Sequence, residues 1–93
     1  MNKTKTAWYH ATSRQRLEHA LQDGFLRAPV FVADDPDIAS LFTYRLKPEE
    51  SPVVLKLNLS GFRLCKDPDE YLDARVVRVD VPTVRIVEIR KII

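Results

Sequence analysis

The run Tyr9-His10-Ala11-Thr12-Ser13 brings together an imidazole, a phenol and two hydroxyls. An apolar stretch gives way to a helical pattern there. The first backbone N–H groups of a helix have no partner within it, so such a junction can hold a phosphate or a ribose. The plainer reading of the same residues is structural, with Thr12 and Ser13 capping the helix and His10 packing at a strand end. A second cluster, Asp67, Asp69, Glu70 and Asp73 around Tyr71-Leu72, is acidic. One such carboxylate can stabilise a cationic transition state or take a proton, and a solvated acidic loop is the alternative. Arg45, just beyond a second helical segment, offers the forked donors that bind anions.

Other chemistries are excluded early. His10 and His19 fall on different elements and the chain has one cysteine, Cys65, so no zinc pattern exists and no metal is expected. Cys65 follows Leu64 and reads as a small core residue rather than a nucleophile. Gly24 and Gly61 are the only glycines, which leaves no glycine-rich phosphate cradle. Arg75, Arg78, Arg85, Arg90 and Lys91 do not line up as one basic stripe, and no platform of stacked aromatics accompanies them.

The elements that must position these residues follow from periodicity and punctuation. Residues 7–11 read as a first strand, and Thr12 with Gln15 matches a capping box that opens a helix over 13–23, closed by Gly24. Residues 30–32 form a short strand launched by Pro29. Asp34-Asp35-Pro36-Asp37 then supplies an acidic cap and a first-turn proline to a second helix, whose buried stripe is Ile38, Ala39, Leu41 and Phe42. Residues 47–52 form a loop. Residues 53–60 alternate with Val53, Leu55, Leu57 and Leu59 on one face and Lys56, Asn58 and Ser60 on the other, a half-buried strand. Ser60-Gly61 turns it, residues 62–64 read as an edge segment, and 66–69 as a loop. Two more strands, 75–81 and 84–89, flank Pro82-Thr83.

Ninety-three residues, 45% hydrophobic and 30% charged, describe a single small domain whose thin core places any site on its rim. Helices in the first half and strands in the second indicate an α+β fold, a bent and mostly antiparallel sheet with two short helices. The domain is expected over 7–93, after a disordered leader, 1–6. A net charge of +2 permits a nucleic-acid partner without requiring one. A lone cysteine cannot form an internal disulfide, so a reducing, cytoplasmic setting is expected, with no signal peptide and no membrane anchor.

The order of the motifs resembles a known family. Tyr9-His10-Ala11-Thr12-Ser13, the helix end over 21–26, Val30-Phe31-Val32-Ala33-Asp34 with Ile38-Ala39, and Pro52-Val53-Val54-Leu55-Lys56-Leu57 look like the ADP-ribosyltransferase fold. The similarity is greatest to the catalytic domain of the tRNA 2′-phosphotransferases. Glu70-Tyr71-Leu72 and residues 81–89 also resemble the closing strands of that family and of DarT-type ADP-ribosyltransferases. The resemblance spans about 8–89. It implies NAD as the bound cofactor and transfer of ADP-ribose to an acceptor, a nucleic acid or a protein. By the same resemblance, His10 with Thr12 and Ser13 would hold the adenosine ribose. Phe31 would supply one aromatic of the nicotinamide pocket, and Phe42 or Tyr44 the other. Arg45 would contact phosphate, and Glu70 would be the catalytic carboxylate that stabilises an oxocarbenium-like ribose.

The chain departs from that pattern at named places. Ala11 stands where the family has glycine, Arg27-Ala28-Pro29 replaces a strand histidine, and no counterpart of the phosphotransferases' winged-helix domain is expected within these 93 residues. These departures, with short loops, favour a second reading: a catalytically inactive module on the same fold that binds protein or nucleic acid. A third is an unrelated small α+β domain.

Overall fold

The computed structural model describes residues 5–66 and 74–91. Alternation of apolar side chains sets its central strand. β4 (Pro52–Asn58) turns Val53, Leu55 and Leu57 to one side, where they are almost wholly buried. Along its length it pairs with β1 (Ala7–Ser13), from Ala7 opposite Asn58 to Ser13 opposite Pro52. β8 (Ile86–Lys91) closes the other side of β4. Beyond β1 come β3 (Val30–Ala33), β6 (Ala74–Val77) and β5 (Cys65–Lys66). The strand order is β5-β6-β3-β1-β4-β8, and every ladder among the described residues is antiparallel. β2 (Phe25–Leu26) and β7 (Val81–Pro82) form a separate two-stranded sheet. The result is one small domain of mixed α and β content.

Two helices cover the two faces of the large sheet. α1 (Arg14–Asp23) buries Leu17 and Ala20 in the main core with Trp8, Leu26, Val30, Val32, Val53, Leu55 and Leu57. It stops where Gly24 adopts φ 87, a left-handed value that glycine takes without steric cost, and the Gly24 N–H bonds the Ala20 carbonyl. α2 (Pro36–Ser40) is capped by the Asp35 carboxylate, which accepts from the Asp37 and Ile38 N–H groups. It packs Ala39 against Ala33 and Val54 on the opposite face, with Tyr9, Ala11 and Ile38 alongside.

Several sequence expectations need correction. The strand over 53–60 is covered on both faces around Val54, because α2 lies there, rather than being half-buried throughout. The first strand continues through Ser13, since Thr12 and Ser13 still pair with Val53 and Pro52. The cap is therefore Ser13, whose hydroxyl accepts from the Arg16 N–H at 3.0 Å, and Gln15 instead accepts from the Ser51 N–H. The edge strand is 65–66, not 62–64. The strand over 75–81 is two strands in different sheets, because the chain leaves the large sheet after Val77. There Asp80 accepts from the Ala28 N–H at 2.8 Å and the Arg27 guanidinium at 2.9 Å, and β7 then meets β2. Leu41 is exposed, because α2 ends at Ser40 and a 3-10 turn (Leu41–Arg45) rotates it off the stripe. In the region expected as leader, the Thr6 carbonyl accepts from the Leu59 N–H, and residues 1–4 lie outside the described residues.

Candidate functional site

β1 and β3 are neighbours, yet they register at a single Cα pair, Tyr9 opposite Ala33. The ladder between them ends at that pair, and Phe31 has no ladder partner on β1. The His10 imidazole takes that place, its Nδ1 lying 2.7 Å from the Phe31 oxygen. A carbonyl only accepts, so Nδ1 carries the proton, and Nε2 of the neutral ring keeps its lone pair. Burial pushes the His10 pKa below its ordinary value. The Phe31 bond opposes that shift, and the positive charge of Arg16 adds to it. The ring is thereby held as a neutral hydrogen-bond acceptor.

A cleft of about 520 Å³ lies between β1, α1, β3 and the 3-10 turn. His10, Ala11 and Thr12 form its β1 wall, and Phe31 and Pro29 the β3 side. Phe42, Arg45 and Leu46 come from the turn, and Arg16, His19, Ala20 and Asp23 from one face of α1. Phe25, Leu26 and Arg27 close the far end. The cleft is ringed by arginines whose engagements differ. Arg16 faces Glu50 at 3.5 Å, and Arg27 is shared between Asp23 at 3.7 Å and Asp80 at 2.9 Å. The Arg45 guanidinium lies 5.4 Å from the Phe31 ring, 5.7 Å from Phe42 and 5.6 Å from Tyr44, whose hydroxyl accepts from its Nε. No carboxylate among the described residues pairs with Arg45. Its charge stands beside two aromatic rings that face the same space, an arrangement suited to a flat ring carrying an anionic group.

Of the residues singled out in the sequence, His10, Thr12, Phe31, Phe42 and Arg45 come together in this cleft. Ser13 does not line it; wholly buried, it caps α1 behind the wall. Tyr44 is 74% exposed and touches the site through Arg45 rather than as a wall. Glu70 lies outside the described residues. Sequence reasoning missed Arg16, His19, Asp23 and Arg27. The i, i+3 and i+4 spacing from Arg16 through His19 and Ala20 to Asp23 marks one helix face, a legible signal, but which face meets the cleft depends on how α1 packs on the sheet.

Among the described residues no group of three or more His, Cys, Asp or Glu side chains could hold a metal ion, and no helix is long and apolar enough to cross a membrane. No family model matches the chain, and neither a curated protein nor a solved structure matches it.

Proposed function

We propose that this cleft binds NAD and that the domain transfers the ADP-ribose unit to an acceptor, a nucleic acid or a protein. The observation that carries the reading is the His10 imidazole, its Nδ1 2.7 Å from the Phe31 carbonyl, in the same cleft as the Phe31 and Phe42 rings and Arg45. An Nε2 acceptor suits a ribose hydroxyl, the two aromatic side chains suit nicotinamide, and an arginine without a carboxylate partner among the described residues suits a phosphate. A cleft of about 520 Å³ lies within the range of roughly 300–1,000 Å³ common for small-molecule sites. The resemblance of the ordered motifs to the ADP-ribosyltransferase fold supports the same assignment.

In the transfer, the bond between nicotinamide nitrogen and ribose C1′ breaks and its electron pair leaves with neutral nicotinamide. Positive charge develops on C1′ and the ring oxygen. An acceptor oxygen or nitrogen then bonds C1′ and releases its proton. The stabilising carboxylate is Glu70 by the resemblance. Binding without transfer is the second reading. It is favoured by Asp23, the one carboxylate among the described lining residues, being engaged by Arg27.

An NMR titration with NAD tests the reading. Amide shifts at His10, Ala11, Thr12 and Phe31 are expected, and His10→Ala, checked for folding by its melting temperature, should weaken binding about tenfold or more, the loss of one well-placed hydrogen bond. A flat titration at millimolar NAD refutes NAD binding. Binding with no nicotinamide released in the presence of RNA, DNA or protein acceptors retains the cleft and discards transfer.

A further inference from the structure

We propose that the free edge of β8 is a self-association surface, on which a second copy of this chain adds antiparallel to join the two large sheets into one. β8 ends the strand order, so its outer edge has no partner among the described residues. It is also unusually open for a strand, with Val87 59% and Ile89 49% exposed. An exposed apolar edge is a template for strand addition unless charge or shape blocks it.

Symmetry and charge together select one register. A two-fold axis perpendicular to the sheet keeps each residue on its own face, and opposite residues must share a face, so their numbers sum to an even value. Each allowed register therefore centres on one residue facing its own copy. Val87 is left out of the β4 ladder where the register shifts, so the regular segment runs from Glu88 to Lys91. Centring on Glu88, Arg90 or Lys91 sets like charges against each other. Centring on Ile89 sets Glu88 opposite Arg90 twice and Ile89 opposite Ile89. Glu88 and Arg90 already share a face, with Arg90 Nε donating to Glu88 Oε1 at 2.7 Å, and both side chains are nearly half exposed. The second copy thus completes a square of alternating charge over a central apolar pair.

Sedimentation or light scattering between about 10 μM and 1 mM is the first test, a range suited to an interface smaller than a standard one. The mass should rise toward twice that of one chain. Arg90→Glu and Glu88→Arg should each weaken association about tenfold or more, by setting like charges opposite. The Glu88→Arg/Arg90→Glu double variant should restore it, because the symmetric register again pairs opposite signs. In a Cys65→Ser background, Ile89→Cys should oxidise to a crosslinked dimer, since opposite Cα atoms lie about 4.5–5.5 Å apart. Lys91→Cys should not, being offset from its copy by roughly 14 Å along the strand. A monomer at millimolar concentration, single charge reversals that associate like wild type, or preferential crosslinking at position 91 would each overturn the proposal. None of these substitutions touches the cleft, so failure here and failure of NAD binding are separable.

Discussion

Replacing His10 with Gln tests the central claim about the cleft, that the fold holds this imidazole neutral. The folded pKa lies below the ordinary 6.5 because burial disfavours the charged ring. The unfolded chain therefore binds the proton more readily than the folded one. Above about pH 6.5 both states are neutral at His10 and its contribution does not change. As the pH falls through 6.5 the unfolded state takes up its proton first and stability is lost, until the folded pKa is reached and the loss levels off. One proton of difference is worth about 1.4 kcal/mol per pH unit, so between pH 6.5 and pH 5 His10 removes at most about 2 kcal/mol. For a domain of this size that ceiling corresponds to a fall of no more than roughly 8–16 °C in melting temperature. Urea unfolding at a series of pH values measures it, read by the single tryptophan, Trp8, which is 9% exposed in the fold. His10→Gln keeps an N–H that can donate to the Phe31 carbonyl and has nothing to titrate, while His19 and every carboxylate remain. The variant should therefore lose less stability than wild type over this interval. Parallel losses, or a wild type that gains on acidification, would refute the argument.

Two further outcomes concern the framework behind the cleft. Ser13→Ala removes the hydroxyl that accepts the Arg16 N–H at 3.0 Å and should cost about 1 kcal/mol in urea unfolding, with a full 2 kcal/mol as the upper end. Leu55→Ala empties a site with no exposed surface at the centre of the main core, and calorimetry should show a loss of about 2–5 kcal/mol.

What could be read in the sequence was local. The alternation of Val53, Leu55 and Leu57 marked the central strand, Asp35-Pro36 the start of α2 and Gly24 the end of α1, because each is decided by period, capping or backbone freedom within a few residues. His10, Thr12, Phe31, Phe42 and Arg45 stood out by residue type and by the order of their motifs. Tertiary structure decided what those residues share. The β1–β3 ladder stops after one pair, and His10 meets the Phe31 carbonyl with its side chain instead, a contact across 21 residues of chain. The cap passed from Thr12 to Ser13 because β4 carries the ladder to the end of β1, a pairing across about 40 residues of chain that no local signal contains. The arginines on the cleft were visible as charges, but their partners, Glu50 for Arg16 and Asp80 for Arg27, are brought near by the fold alone. Period and propensity act over neighbouring residues, whereas strand pairing and ion pairing are set by how distant segments pack, so the sequence determined the elements and the tertiary structure made the site.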